Sequence, residues 1–387
     1  MPDKVLFVTA SVIIAISITM VYSLSAYIVL LFDYNEFHFV IRQFIFGVVS
    51  ILIMWSLAQL DPDVWLGRLG LTLFIGGFIL MAAMPFMPAF LVSEVGGAKR
   101  WIKVFGFSLA PVEFFKIGFV YFLAWSFSRK LGHHANMGIK KEYIRFIPYA
   151  LLFIVIIVLI ALFQKDLGQV AVLGLSLLFM MMLAGSSFKF FISLISLSLI
   201  AMTILIVTQE HRIARVKSWW ASTQDFILAF FPESIGSRLR VEAFQEPYQI
   251  GHSLNSIHNG GLIGTGLSNG TFKLGFLSEV HTDFILSGIA EEFGFMGILV
   301  ISSLFIFMLQ RIFRVANRSR NRIFSLFSVG VGLLIALAFL INAFGISGLT
   351  PIKGIAVPLL SYGGSSMLAM AVGIGMVIMV SKKMKYR

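Results

Sequence analysis

The chain has 387 residues, 58% of them hydrophobic and only 12% charged, with 30 Lys and Arg against 18 Asp and Glu. A soluble protein carries about a quarter charged residues. The mean hydropathy of +0.94 therefore excludes a cytosolic enzyme, a disordered tail and a secreted disulfide scaffold, and the chain reads as an integral membrane protein. The net charge of +12 reads as topology rather than nucleic-acid binding, because basic residues flank spans on the cytoplasmic side and meet anionic lipid there. With no Cys, disulfides and thiolate metal sites are ruled out.

A spanning helix needs roughly 20 mostly apolar residues. Apolar runs between polar breaks predict ten spans, at 5–32, 38–58, 70–88, 111–128, 147–163, 168–184, 189–208, 284–306, 323–346 and 355–381. Unbroken runs such as Ala150–Phe163 and Phe190–Val207 are helical, unlike the short alternating segments of a membrane β-barrel. The first run is too long for a signal-peptide core and lacks a clear cleavage site after it. The expected fold class is an all-α polytopic membrane protein, one domain over 1–387, with a large extracytoplasmic loop at 209–283 between spans seven and eight.

An even number of spans leaves both termini on one side. Placing them in the cytoplasm puts seventeen Lys and Arg in short inner segments and five in short outer loops, as the positive-inside rule asks. The long loop is polar over 209–249, with Trp219 and Trp220 as interfacial anchors. From 251 to 275 it is rich in Gly, Ser and Asn. Interleaved Ile257, Leu262, Ile263 and Leu267 favour a segment that dips back into the membrane surface.

Ionisable residues in or beside spans are costly and mark functional candidates. In chain order, Gly97–Ile102 joins two cations, Lys99 and Arg100, to Trp101; the set suits either an anionic head group or an interfacial anchor. Glu113 and Lys116 share a helix face three residues apart, as a neutralising pair or as part of a cavity where Lys116 meets a phosphate. Asp166 follows Lys165 in a short outer turn, which alone decides nothing. Asp283 stands where the long loop enters span eight, beside His281. Partial desolvation there raises a carboxyl and makes a competent base. Glu291 and Glu292 lie two turns deeper, where at most one is expected to face a polar interior. Lys353, beside Pro351 at the outer face, is another phosphate candidate, and Ser361–Ser366 breaks the last apolar run with small, hydroxylated residues. His252, His258 and His281 fit no familiar metal-ligand spacing.

Together these stretches resemble the SEDS family (FtsW/RodA/SpoVE). The resemblance spans nearly the whole chain and rests on GAKRWI at 97–102, PVEFFKI at 111–117, KDLG at 165–168, HTDFI at 281–285, AEEFGFMG at 290–297, PIKG at 351–354 and PLLSYGGSS at 358–366. Within the family the FtsW branch is the nearer, on Lys353 and on the KLGFLSEVHTDF context. The chain departs from the usual pattern at Lys165, where the family has Pro in QPDLG, and at Val112, Ser278 and Val280.

The resemblance implies a septal peptidoglycan glycosyltransferase that polymerises lipid II. Asp283 would be the essential carboxylate. Lys99, Arg100, Lys116 and Lys353 would be candidates for the diphosphate, with Trp101, Glu113, Asp166, His281 and Ser361 also contacting substrate. It further implies a bacterial cytoplasmic-membrane protein at the division septum, working with a class B penicillin-binding protein (an FtsI-like transpeptidase) and other divisome membrane proteins. No cofactor is called for, although the diphosphate admits a divalent cation. A lipid II flippase, a non-enzymatic scaffold that recruits a transpeptidase and, more weakly, a proton-coupled transporter are the competing readings. The outer position of Asp283 favours bond formation.

Overall fold

The computed structural model describes residues 2–88, 90–95, 97–104, 107–130, 138–229, 231–241, 248–277, 279–351 and 354–384. Helix α1 (Lys4–Leu24) is followed by short α2 (Ala26–Leu31), α3 (His38–Gln59) and α4 (Pro62–Ala83). Strands β1 (Val92–Val95), β2 (Ala98–Val104) and β3 (Phe107–Leu109) form an antiparallel meander before α5 (Pro111–Lys130). Next come α6 (Ile139–Ile157), α7 (Leu167–Leu183) and α8 (Phe188–Val207). Three further helices, α9 (Glu210–Leu228), α10 (Glu233–Leu239) and α11 (Tyr248–Gly260), occupy the long connection. The chain then runs through α12 (Ile285–Arg318), α13 (Arg322–Ile346) and α14 (Gly364–Ser381).

Ten of these helices coincide with the ten predicted spans. Eight among the described residues are long and apolar enough to cross a membrane. The other two are α5, which carries Glu113 and Lys116, and the 17-residue α7. The fold is an all-α polytopic membrane protein with one small sheet that the sequence reading took for plain loop. Boundaries differ where caps decide them. Helix α4 starts at Pro62 rather than at 70, because the Asp61 side chain accepts the Asp63 amide and Pro suits the first turn. The last helix starts only at Gly364, since 354–363 is irregular.

The core centres on α5, which is buried around its circumference from Val112 to Phe127 and packed by α4, α7, α13 and α14. A β-carbon on Gly118 would fall 2.1 Å from the Phe74 backbone nitrogen, and one on Gly70 would enter the Tyr121 ring. Small residues allow this close approach, which matters where lipid supplies no hydrophobic drive between helices. Helices α6 and α8 are peripheral and turn most apolar side chains outward.

The glycine-rich part of the long connection packs against a broken α12. Gly294 takes φ 65° and ψ −162° inside that helix, a conformation only glycine adopts without strain. At the break, Thr265 N and Gly266 N donate to the carbonyls of Glu291 and Glu292. In return, Phe295 N and Met296 N donate to those of Gly261 and Leu262. Irregular backbone is thereby satisfied against protein.

Both buried acids of this stretch take part, which corrects the expectation that only one would meet polar partners. Glu291 accepts from the Thr271 and Phe272 amides at 2.6 and 3.0 Å and from Asn259 Nδ2 at 3.0 Å. Glu292 pairs with Lys273 at 2.7 Å and accepts from Ser23. The loop wraps two faces of α12, so adjacent residues both find donors.

Candidate functional site

A cavity of about 630 Å³ lies at one end of the bundle. Its wall is made from the starts of five helices. His38, Phe39 and Arg42 come from α3, Val112 and Glu113 from α5, and Asp166 and Gln169 from the entry to α7. Thr282 and Asp283 lead into α12, and Gly363–Ser366 into α14. Arg100 and Trp101 of β2, Gln164, Glu279, Gly354 and Tyr362 complete the lining used below. Helix N-termini carry unsatisfied N–H groups and the positive end of the helix dipole, so five of them around one cavity favour an anion.

Asp283 is partly buried and is set in place through its backbone. Asn342 Nδ2 of α13 donates to the Asp283 carbonyl at 2.6 Å and to that of Ile355 at 2.8 Å. Ser361 Oγ donates to the Thr282 carbonyl at 2.6 Å and accepts from Val357 N at 2.9 Å, while Tyr362 N donates to the His281 carbonyl at 2.9 Å. Ser361 therefore fixes the segment bearing Asp283 through backbone bonds. Burial raises the Asp283 carboxyl to about 6, the Glu279 and Asp166 carboxylates push the same way, and Arg100 opposes them. Burial raises Asp166 as well, against the pull of Arg100 and the Gln169 amide.

Arg100 reaches the cavity with its guanidinium held from behind. Its Nε donates to the Gln164 carbonyl at 2.8 Å and its Nη2 to that of Lys165 at 3.0 Å. Of five guanidinium donors, three remain for an anion. The carbonyls are aimed by an unusual helix end: 158–163 is a π-turn, and Lys165 takes φ 53°. Asp166 caps α7 by accepting from Gln169 N at 3.2 Å.

The other expected residues are placed differently. Lys99 turns away from the cavity, its Nζ donating to the carbonyls of Pro85 and Met87 at 3.1 and 3.3 Å. Lys116 is buried beneath the wall and pairs with Glu113 at 2.8 Å; Glu113 lines the cavity and also accepts from Gln169 Nε2 at 2.9 Å. His281 lies behind the wall, edge-on to Phe39 at 5.0 Å and 5.4 Å from the Tyr362 ring. Burial lowers its pKa, with Glu279 opposing. Lys353 lies outside the described residues. Among the described residues no three His, Asp or Glu side chains are grouped to hold a metal ion.

The sequence reading missed Arg42, Glu279 and Tyr362. Arg42 carried a usable signal, a lone cation inside a predicted span; in the structure it lines the cavity together with Tyr362. Glu279 lines the same rim as Asp283, and its carbonyl accepts from both Thr282 N and Thr282 Oγ1 at 3.0 Å. That turn puts Glu279 at φ 57°, which sequence spacing does not reveal.

A family model described as "Cell cycle protein", FTSW_RODA_SPOVE, matches residues 3–386. A protein of Helicobacter pylori (strain J99 / ATCC 700824), named "Probable peptidoglycan glycosyltransferase FtsW", is 46% identical over 384 residues, 99% of each chain. One of the same name from Geobacter sp. (strain M18) is 30% identical over 99% of this chain and 97% of its own. The fold is similar to the crystal structure of the Thermus thermophilus rod shape determining protein RodA, with a TM-score of 0.67 at 21% identity, covering 100% of this chain and 98% of that one. It is also similar to a chain from a study titled "Structural coordination of polymerization and crosslinking by a peptidoglycan synthase complex", with a TM-score of 0.72 at 22% identity over 98% of both. Family model, relatives and fold agree with the motifs around the cavity: the chain belongs to the FtsW/RodA/SpoVE family.

Proposed function

We propose that this cavity is the active site of a peptidoglycan glycosyltransferase that joins lipid-linked disaccharides into glycan strands for the division septum. The observation that carries the reading is the company Asp283 keeps. A carboxyl with raised proton affinity shares one cavity with Arg100, Arg42 and five helix N-termini. A base and an anion site are what this transfer needs.

A hydroxyl of one sugar attacks the anomeric carbon of a second, whose bond to diphosphate breaks. Asp283 takes the hydroxyl proton. The leaving diphosphate carries its own charge and is held by Arg100, Arg42 and the helix ends rather than protonated. One in-line displacement with one base inverts the anomeric centre. Lys99 and Lys116 are committed to other partners and are left out of the diphosphate site, and Trp101 shapes the cavity wall. Asp166 and Glu113 orient Gln169 and the start of α7, while His281 and Ser361 hold the segment of Asp283.

On this reading the protein works in the bacterial inner membrane as one domain. Both termini lie in the cytoplasm, and the 209–283 segment and the cavity lie outside. Its partners are a class B penicillin-binding protein of the FtsI type and other division proteins.

The test supplies purified protein in liposomes with polyprenyl-diphosphate disaccharide-pentapeptide and the cognate transpeptidase. Long glycan chains with released polyprenyl diphosphate are expected. Movement of the lipid between leaflets without bond formation would give the site to a flippase instead.

A further inference from the structure

Helix α5 begins at the cavity and is 20 residues long, so its other end at Lys130 lies about 30 Å away. Three cations from two helices stand together there. Arg129 Cζ is 4.7 Å from the centre of the Trp125 ring, and Lys130 Nζ is 5.7 Å from that of Tyr149 on α6. Arg145 of α6 donates from Nη1 to the Lys130 carbonyl at 3.1 Å, and the Tyr149 hydroxyl is bonded to Ser126 of α5 at 2.6 Å. Long cationic side chains at a membrane edge ordinarily extend outward to water. Here two of them bend back onto rings about one turn nearer the cavity, and cation–π contact holds them in place.

The group has no counter-charge within the protein. Among the described residues no carboxylate pairs with Arg129, Lys130 or Arg145. Glu142, the one acid of α6, accepts from the Ser187 amide and hydroxyl instead. Arg129 and Lys130 are exposed, and Arg145 and Trp125 partly so, which leaves the cations open at the surface of the bundle. Gly138 gives α6 no capping side chain, so the helix that carries Arg145 also presents unsatisfied N–H groups and its positive end. We propose that Arg129, Lys130 and Arg145 bind the phosphate of an anionic phospholipid in the leaflet opposite the cavity. The lipid is indicated by the rings under the cations: Trp125 and its neighbour Phe122, 6.5 Å apart, belong to a span, where acyl chains lie alongside. A zwitterionic headgroup brings its own ammonium and no net charge, whereas an anionic one leaves its phosphate to the protein. The site is independent of the reaction assigned to the cavity.

The test offers the purified full chain in detergent equal amounts of phosphatidylglycerol and phosphatidylcholine. Bound lipid is read by native mass spectrometry, with thermal unfolding measured alongside. Wild type should retain phosphatidylglycerol in preference and unfold at a higher temperature in its presence. One cation near an anionic headgroup is worth about a fivefold change in binding. Arg129→Gln and Arg145→Gln should therefore each lower phosphatidylglycerol retention by about fivefold and leave phosphatidylcholine unchanged. Arg129→Lys keeps the charge and should keep the retention, which a merely structural guanidinium would not allow. Arg68→Gln is the control, since that exposed guanidinium also rests on a ring, 5.6 Å from Trp65, but on α4.

Equal retention of the two lipids by wild type would overturn the proposal. A loss in Arg68→Gln as large as in Arg129→Gln would overturn it too, because diffuse surface charge would then account for the binding. Displacement of the lipid by inorganic phosphate would make the cations a phosphate site and remove the phospholipid. None of these readouts needs polymer, so a failed transferase assay leaves the lipid result standing.

Discussion

A β-carbon placed on Gly354 would stand 2.6 Å from Oδ2 of Asp283. The backbone at 354 is thus a wall against which the carboxylate rests. Gly354→Ala should push that carboxylate off its line without touching the helices that form the bundle. Misplacement by about 1 Å costs on the order of 100-fold in rate. Polymerisation measured beside thermal unfolding checks this; a folded alanine variant at wild-type rate would mean that the wall does not position the base.

The raised Asp283 carboxyl sets the pH dependence. A base must be ionised, so kcat/KM should rise about tenfold per pH unit up to about 6 and then level off. Glu279→Gln removes one of the charges that hold this value up, and the acid limb should move to lower pH. An unmoved limb would exclude the Glu279 carboxylate from tuning the base.

For stability the same shift has the opposite sign. A carboxyl raised in the folded state contributes stability that is complete below the ordinary carboxylate range and is lost as pH rises through about 6. Above pH 7 the Asp283→Asn protein should therefore unfold at a higher temperature than wild type while failing to polymerise. A lower Tm would show that the charged form is favoured by the fold.

Asn342 ties the two segments that flank the site, with bonds of 2.6 and 2.8 Å to the carbonyls of Asp283 and Ile355. Asn342→Leu leaves both carbonyls without that donor, at about 1–3 kcal/mol each. Unfolding in detergent should shift accordingly, and kcat should fall with little change in KM because the base, rather than the anion site, is loosened.

Lys273 and Glu292 form a buried pair at 2.7 Å between the glycine-rich segment and α12. Removing one partner strands a charge and costs about 3–5 kcal/mol. Lys273→Met should destabilise strongly, and Lys273→Met with Glu292→Met should recover much of the loss. Unfolding temperatures of the two variants decide the matter: equal losses would mean that the charge balance contributes nothing.

The ten helices were legible because an apolar run of sufficient length is a local property of the sequence. Their ends were less so. The starts at Pro62 and Gly364 depend on a cap and on an irregular stretch packed against Asp283. Sequence also flagged the groups that converge on the cavity, Arg100, Asp166 and Asp283, although the chain brings them from three distant regions. It could not choose between neighbouring cations. Lys99 and Arg100 look equivalent as letters, yet one meets the carbonyls after α4 and the other those of a π-turn.

If Asp283 takes the proton in glycosyl transfer, single-turnover polymerisation of lipid-linked disaccharide by wild type, Asp283→Asn and Asp283→Glu will show that role. All three should bind substrate, with polymer from wild type, none from the asparagine variant and a much reduced rate with glutamate. Polymer from Asp283→Asn at the wild-type rate would contradict it.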